Sequence, residues 1–437
     1  MKDDQSEDRQ NKGNCGQKIT RQQQVRSLVA ASIANFWVIG LTQSFGIFQR
    51  HYGSAAAVKD GVVRAADITF RARIATVGSL GNGGIMSVFS LLWMPYLPLL
   101  GGHIKMLCAV GTILISVGFG VAATSTQLWI LLLTQGLMVG LGAGIFISTL
   151  QPILADFFGR RVGLAQGISL ASASAGGVAL SISIPELLDA IGSRATLGVL
   201  ASISAALGTL VSLLAQPPRK YERRNTNMVP WSIFRKPIFT LLFIVSFIHP
   251  LTLANPMTFG PDFSATLGFT KTQGSLLLAC MNAVGLLARL GIGWMVDNTG
   301  QLNMLLIAMV VYGMGTWGLW LSAAHTNSKA LWIAFSVTYG LVNGTYNTVI
   351  NSLQKKLFGN EDYYSINGAT ASIRGAGYVL GVPLAGALVA SGTDDELSPE
   401  DFTRPIVYNG ALLTIGVACL AGVRILDARQ TGWAWKR

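Results

Sequence analysis

Apolar runs long enough to cross a bilayer as helices recur along the whole of this chain of 437 residues. A helix needs about 20 apolar residues to span the hydrocarbon core. Charged residues make up only 12% of the chain, whereas soluble domains carry about 25%, so a water-soluble surface could not be built from them. The sequence therefore predicts an all-α polytopic membrane protein with twelve transmembrane helices. The predicted spans 1 to 12 are 27–48, 74–94, 106–123, 128–150, 162–184, 195–215, 238–258, 273–296, 302–323, 330–353, 366–390 and 406–426.

The distribution of basic residues predicts how the chain is oriented. The chain carries 32 Lys and Arg against 20 Asp and Glu, a net charge of +12. With the N-terminus inside, 21 of the 32 basic residues lie in inside segments and nine in outside loops. Cytoplasmic loops of membrane proteins are enriched in Lys and Arg. We therefore predict a multi-pass protein of the plasma membrane with both termini cytoplasmic, and the basic charge needs no nucleic-acid partner.

A basic segment that contains Pro217, Pro218, Arg219 and Lys220 divides the spans into two groups of six. Six plus six spans around a cytoplasmic linker is a layout of secondary transporters built from two repeats. The predicted parts are a disordered cytoplasmic tail (1–26), an N-terminal six-helix bundle (27–215), a cytoplasmic linker (216–237), a C-terminal six-helix bundle (238–426) and a second cytoplasmic tail (427–437).

Several kinds of catalytic or cofactor site are missing from the sequence. No GxxxxGK[ST] loop occurs, so ATP-driven transport by this chain alone is not expected. The four histidines are widely separated and do not form the HExxH pattern of a metal site. We expect a protein that is not an enzyme and that uses no metal or cofactor.

Four motifs, in their order along the chain, are similar to those of one transporter family. Span 1 ends in SFGIFQRHY (44–52), similar to the family's SFGxF, and the loop after span 4 contains FFGRRVGLAQG (157–167), similar to YFxxRRxxAxG. Span 8 and its exit contain GLLARLGIGWMVDNTG (285–300), similar to an embedded arginine followed by GxxxDxxG, and span 11 carries GVPLAG (381–386). The chain resembles the major facilitator superfamily, and within it the fungal monocarboxylate-transporter-like branch. The resemblance implies two six-helix bundles and transport by alternating access around a central cavity.

Three positions depart from the patterns of these relatives. Gln43 stands where animal monocarboxylate carriers have the span 1 lysine tied to proton and anion binding. Gly285 stands where they have an acidic partner of the span 8 arginine, and Leu99 stands where the superfamily's loop motif has Asp. These differences argue against proton symport of the lactate type.

Arg289 and Arg374 are the two charged residues predicted to lie well inside spans. A charge in the hydrocarbon region is costly, and it indicates a functional site. Arg289 lies about 17 residues into span 8, or ~25 Å along the helix axis and past the midplane. Arg374 lies about nine residues into span 11, or ~13 Å and close to the midplane. Each either anchors an anionic group or bonds neighbouring helices, and the depth of Arg289 also suits a gate.

Polar side chains in other spans extend the predicted site. Asn343 and Asn347 lie one turn apart on a face of span 10, where they either line the cavity or bond a neighbouring helix. Prolines follow His249 and Asn255 in span 7 and predict a bent helix, with His249 either titrating or neutral and hydrogen-bonded. The predicted substrate-binding residues are Arg289, Arg374, Gln43, Asn35, His249, Asn255, Asn343, Tyr346 and Asn347. The predicted gating residues are Asp156, Arg160, Arg161 and Asp297.

Buried arginines without buried carboxylates favour an anionic solute. We expect a monomeric secondary active or facilitative transporter of a small organic solute that carries a carboxylate or another anionic group. Uniport, anion exchange, and symport in which the substrate or His249 carries the proton all fit the sequence. Export of a secondary metabolite from a fungal biosynthetic pathway is the alternative within this class. A non-transporting membrane sensor is the alternative from another class.

Overall fold

The computed structural model describes residues 20–68, 71–81, 103–158, 162–215, 231–389 and 397–433. Within these ranges the chain is built from helices, and it includes at least part of each of the twelve predicted spans. Spans 1 to 6 contain the helical segments Arg21–Tyr52, Arg71–Ser79, Ile104–Ala123, Leu128–Leu131, Leu132–Met138, Val139–Phe158 and Val162–Leu214. Spans 7 to 12 contain Pro237–Leu253, Asn255–Thr266, Lys271–Thr299, Gln301–Thr326, Lys329–Asn343, Thr345–Leu388 and Thr403–Thr431. Short helices occupy Ala55–Lys59, Trp231–Arg235 and Pro399–Phe402.

Several helices extend beyond the apolar runs that predicted them. Span 1 begins at Arg21 and not at residue 27, because Thr20 caps its first turn. The backbone N–H of Gln23 donates to Thr20 Oγ1 at 3.3 Å, while the backbone N–H of Thr20 donates to Gln23 Oε1 at 3.1 Å. Thr270 and Gln273 form the same reciprocal cap at the start of span 8. Such caps satisfy N–H groups that have no partner inside the helix, so polar first turns can continue a span outside the apolar core.

In two places, consecutive spans follow each other directly, and a kink at a single glycine separates their helices. Spans 5 and 6 meet at Gly192, which has φ 75°, and spans 10 and 11 meet at Gly359, which has φ 79°. Residues with a Cβ rarely adopt such positive φ angles, whereas glycine adopts them without steric cost. The sequence had predicted loops of about ten residues here, within the usual range of helix connections.

Span 7 is interrupted at Ala254, as its prolines predicted. Pro256 has no N–H to offer to the carbonyl of Thr252, four residues earlier. The Tyr312 hydroxyl donates to that carbonyl at 2.8 Å, and the Tyr339 hydroxyl donates to the next one, Leu253, at 2.5 Å. Spans 9 and 10 therefore satisfy the backbone that the proline leaves open, which stabilises the break inside the membrane region.

Eight segments of the described chain are long and apolar enough to cross a membrane. One of them, Ala165–Leu214, contains both span 5 and span 6. Span 8 is outside this group and carries Asn282 and Arg289, while the helix of span 10 is interrupted at Gly344. The polar residues in these two helices belong to the candidate site described below.

The N half (spans 1–6) and the C half (spans 7–12) pack together at one end of the bundle, which we call the opposite end because it lies away from the termini. In span 1, Gly46 faces the carbonyl oxygens of Met257 and Thr258 in span 7, with too little room for a Cβ. Lys271 Nζ lies 3.3 Å from Asp189 Oδ1, between spans 8 and 5. Gly386 of span 11 packs against the backbone of span 2. The other end, where the first described helix begins and the last one ends, is called the terminal end.

Candidate functional site

The guanidinium of Arg374 lies among side chains from spans 7, 10 and 11. The Tyr346 ring lies beneath it, with 5.0 Å between Cζ and the ring centroid. The His249 ring stacks on Tyr346 with its centroid 4.0 Å away and an interplanar angle of 16°. The face of an aromatic ring attracts a cation, so Tyr346 holds the guanidinium in place while leaving most of its N–H groups available.

Arg374 has few hydrogen bonds for a part-buried guanidinium. One Nη2–H donates to Asn347 Oδ1. The Nε is buried and has no hydrogen-bond partner. Among the described residues, no carboxylate lies within salt-bridge distance of it. We call Arg374, Tyr346, His249 and Asn347 the Arg374 cluster; it is a cationic site whose donors are only partly used.

His249 is buried, with 4% of its surface exposed, and its Nδ1 has no hydrogen-bond partner. The neighbouring Tyr346 hydroxyl is instead engaged with Ser246 Oγ at 2.8 Å. The imidazole of His249, with its unpaired Nδ1, and the guanidinium of Arg374 therefore both pack against the ring of Tyr346. A ligand with both a negative oxygen and a proton to share would find partners for both.

Tyr378 is a member of this site that the sequence analysis missed. It lies one helical turn after Arg374 in span 11, and positions four apart share a helix face. The spacing from Arg374 was the signal that could have identified it.

Arg289 joins the two halves. Its Nη1 donates to the Leu170 carbonyl at 3.0 Å and to Ser174 Oγ, both in span 5. On the other side its stem packs against Gly344 of span 10, where a Cβ would lie 2.7 Å from Arg289 Cγ. The arginine thus links spans 5, 8 and 10, and its recorded bonds go to neutral protein oxygens.

Gln43 lies at another junction between the halves, where spans 1, 5 and 8 meet. A Cβ at Gly177 of span 5 would lie 2.6 Å from Gln43 Oε1 and 2.7 Å from Asn282 Oδ1. Asn282 was not predicted as a site residue. Its amide nitrogen donates to the Leu278 carbonyl of its own helix at 3.1 Å.

Three predicted site residues lie in contacts between helices of one half. Asn35 donates to the backbone and side-chain oxygens of Ser169, at 3.1 and 2.7 Å. Asn255 donates to Asn409 Oδ1 at 3.0 Å, and the amide of Asn343 points to the Met257 sulfur at 4.0 Å. None of these bonds connects Asn35, Asn255 or Asn343 to the Arg374 cluster.

The predicted gating residues cannot be placed. Arg160 and Arg161 lie outside the described residues. Asp156 and Asp297 lie on described helices, but their side chains are outside what the structure describes.

A small cavity of about 30 Å³ lies within the N half, among spans 1 to 4. Its lining is apolar apart from Thr42 and Gln135, and the Gln135 oxygen already accepts from the Tyr52 hydroxyl at 2.7 Å. The cavity has room for only a few water molecules. It offers neither the charge nor the space for an organic solute, so the Arg374 cluster is the better candidate site.

The family model for the Major Facilitator Superfamily matches this chain over residues 27–382 and again over 242–432. These matches cover most of the chain. The chain belongs to the major facilitator superfamily. The resemblance drawn from the motifs is thereby confirmed, and this major facilitator protein is a transporter.

Curated relatives with similar sequences are fungal transporters. An MFS-type transporter of Gibberella zeae is 26% identical over 364 residues, which are 82% of this chain and 77% of the relative. The probable transporter MCH2 of Saccharomyces cerevisiae is 25% identical, covering 88% of this chain and 78% of its own length. The agnestins efflux protein AgnL12 of Paecilomyces divaricatus is 22% identical, covering 89% and 84%.

Solved structures support the fold of this superfamily member. The nucleoside transporter NupG, in a D323A mutant, superposes with a TM-score of 0.69 at 16% identity, over 92% of this chain and 98% of the other. At this identity the likeness concerns the fold alone. Twelve transmembrane helices in two six-helix bundles, as predicted, are the architecture of this multi-pass membrane protein.

Proposed function

We propose that this transporter carries a small organic anion, and that Arg374 binds the anionic group. The observation that carries the proposal is the buried Arg374 Nε, which has no hydrogen-bond partner, in a guanidinium that no carboxylate of the described residues neutralises. A charge inside a membrane protein is stabilised by an opposite charge or by hydrogen bonds. A carboxylate ligand supplies both, and two parallel bonds to the guanidinium suit its geometry.

Arg289 has a different role in this proposal. Its bonds to Leu170 and Ser174 link the halves on the side of the bundle midpoint nearer the terminal end. Alternating access requires such bonds to break and re-form as the halves rock. Arg289 therefore acts as a gate that responds to the state of the site, while Arg374 is the anchor.

We propose that the terminal end faces the cytoplasm, in the plasma membrane, because basic residues concentrate there. The halves are packed at the opposite end through Gly46, Gly386 and the Lys271–Asp189 pair. The described conformation is then one in which the outer side is closed. The protein acts as a monomer in this proposal, because one chain supplies the whole Arg374 cluster, from spans 7, 10 and 11.

The predicted spans contain no carboxylate, but the structure corrects the expectation that none is buried: the helix Asn255–Thr266 continues span 7 past its predicted end and buries Asp262. Proton-coupled transporters commonly move the proton on a carboxylate or a histidine inside the membrane. His249, with its unpaired Nδ1 beside the Arg374 cluster, is the group in the site that can take this role. Uniport and anion exchange remain compatible with the same site.

Export of a secondary metabolite is a second candidate, favoured by the named efflux protein among the relatives. Both candidates use the same anion anchor, since many natural products carry carboxylates or phenolates. They differ in direction. Loading right-side-out vesicles from either side with the same radiolabelled anion distinguishes net export from net uptake.

The proposal is tested by binding and transport with purified protein in liposomes. Arg374→Gln should lower the affinity for organic anions roughly 10- to 150-fold, since a hydrogen bond to a charged group is worth about 1.5–3 kcal/mol. Arg374→Lys keeps the charge but loses the paired N–H geometry, so its defect should be smaller. Arg404→Gln removes an exposed arginine from span 12 and serves as the matched control.

Thermal stability is measured on the same samples. An arginine that only bonds neighbouring helices predicts a different pattern, in which Arg374→Gln melts earlier while the remaining folded protein binds anions normally. That pattern would remove Arg374 from the substrate site.

A further inference from the structure

A histidine with little exposed surface lies at the opposite end of the bundle, where the helix of span 1 ends. The side chain of His51 is 13% exposed. Its Nε2 lies 2.5 Å from Ser193 Oγ and 3.6 Å from Asp60 Oδ2. Ser193 donates to Asp60 Oδ2 from its backbone N–H at 2.8 Å and from its hydroxyl at 2.5 Å. These three residues, which all belong to the N half, are called the His51 network.

The His51 network determines where a further proton can be added. Ser193 gives its hydroxyl hydrogen to Asp60, so the Ser193 oxygen accepts from Nε2–H of His51. This bonding assigns the tautomer of the neutral ring, which keeps its basic lone pair on Nδ1. A proton that binds Nδ1 makes the ring a cation and leaves both hydrogen bonds in place. Histidine is the side chain that ordinarily changes charge between pH 5 and pH 8.

An ion pair between the halves lies beside the His51 network. Asp189 is four positions before Ser193 on the N half, and Lys271 is at the start of span 8 on the C half. Their charged atoms are 3.3 Å apart. The charges of Asp60, Asp189 and Lys271 all act on His51. Of these charges, only Lys271 belongs to the other half, so it is the one that moves away from His51 when the halves separate.

Other charged side chains lie on the elements around this end of span 1. Arg50 precedes His51, and its Nη1 would be 3.6 Å from a Cβ on Gly274, in the first turn of span 8. Arg194 donates to a carbonyl of the outer loop at 2.9 Å. Arg73 lies in span 2 and Asp262 in the outer part of span 7. The arginines keep their charge at all pH values considered below, so they cannot cause a pH response.

We propose that His51 is a pH sensor for the opposite end, and that its protonation weakens the contact between the halves there. When His51 is neutral, Lys271 faces two carboxylates of the N half, Asp60 and Asp189. A protonated His51 cancels one of these two negative charges, so the attraction for Lys271 falls. The proton therefore binds more tightly when the halves are separated, and linkage requires that acid favours that state. In the proposed orientation this end faces the outside, so an acidic outer medium favours opening towards it.

The expected effect is modest, because the ion pair is exposed. The side chains of Lys271 and Asp189 are 67% and 63% exposed, so water and salt screen their charges. Exposed ion pairs change an equilibrium by up to roughly fivefold. The ratio of separated to joined halves should rise by up to this factor when His51 becomes protonated. The rise should disappear in about 1 M salt, where the Debye length is about 3 Å.

Distances between two spin labels at this end measure the ratio. Ala56 in the outer loop and Ala330 at the start of span 10 are exposed and uncharged, so labels there leave the charges intact. The full chain, with its native cysteines replaced, is studied in lipid nanodiscs without any solute. As the pH falls from about 7.5 to about 5, the population with the longer distance should grow. This range stays above the usual Asp pKa of about 3.9, so exposed carboxylates remain ionised.

Three variants identify the groups that cause the response. His51→Gln keeps an N–H donor for Ser193 but cannot be protonated, so its distances should not change with pH. Lys271→Gln should show more of the longer distance at pH 7.5 and no further change in acid. His325→Gln is the matched control, because it removes an exposed histidine at the same end of the bundle, and it should respond like the wild type.

Four results would overturn the inference. The first is a wild type whose distances do not change with pH, and the second is a wild type in which acid favours the shorter distance. The third is a response that persists in His51→Gln, which would assign it to another group such as Asp262. The fourth is a response that persists in Lys271→Gln, because His51 would then not act through the contact between the halves. No solute enters these measurements, so each of these results leaves the proposed anion transport standing.

Discussion

Removing the Ser174 hydroxyl is expected to loosen the contact between the two halves. Arg289 Nη1 donates both to Ser174 Oγ and, at 3.0 Å, to the Leu170 carbonyl. Ser174→Ala deletes the first bond and keeps the second. A hydrogen bond to a charged group contributes about 1.5–3 kcal/mol, so the equilibrium between joined and separated states of these helices should shift roughly 10- to 150-fold. Such a shift is large enough to populate a state that is rare in the wild type.

Distances between two spin labels measure this shift. Ile168 in span 5 and Leu287 in span 8 are 42% and 68% exposed, so labels there should not disturb the interior. In a chain whose native cysteines have been replaced, the wild type should give one short distance. Ser174→Ala should add a second, longer population as spans 5 and 8 separate.

Ser172 provides the control on the same helix. Its hydroxyl donates to the Ile168 carbonyl of its own helix at 3.0 Å and takes no part in the contact with Arg289. Ser172→Ala should therefore keep the wild-type distance. If Ser174→Ala and Ser172→Ala give the same single distance, the Arg289 contact does not hold the halves together and its role as a gate is wrong.

Two further predictions concern the membrane orientation and the loop at the opposite end. Reporter fusions at the N-terminus, near residue 222 and at the C-terminus should all report the cytoplasm, and an external signal at residue 222 would refute the six-plus-six arrangement. Burial acts to raise the pKa of Asp60, but hydrogen bonds from Ser193 and the nearby His51 outweigh it and hold the pKa below the ordinary value. A lowered pKa means that the stabilisation is complete above the usual Asp pKa of about 3.9 and is lost as the pH falls through the folded value. Melting temperatures from pH 7 to pH 3 should drop at the acid end in the wild type and be flatter in Asp60→Asn, and equal pH profiles would show that Asp60 makes no such contribution.

The fold could be predicted from the sequence because the bilayer imposes a simple physical rule. Apolar runs and basic loops are visible without knowing which helix touches which, and the span 7 prolines predicted the interruption observed at Ala254. The ends of the helices were less predictable. Thr20 and Thr270 extend their spans through polar caps, which hydropathy does not detect.

The candidate site was only partly predictable, because polarity identifies a residue but not its partner. Arg374 stood out as a charge in an apolar run, and the structure surrounds it with Tyr346 and His249, two other predicted residues. Asn255 looked equivalent in the sequence, but its amide donates to Asn409, 154 positions away. Asn282 was not predicted as a site residue, because a single asparagine in a span commonly bonds a neighbouring helix.

The location of the Arg374 cluster within the C half bears on how a solute can drive transport. A ligand shifts a conformational equilibrium only by the difference in its affinity for the two states. A simple anion held by Arg374 contacts the C half, so its binding alone does not favour one position of the N half over another. Arg289 bonds Leu170 and Ser174 of the N half, so coupling of anion binding to transport requires that the anion at Arg374 alters this contact.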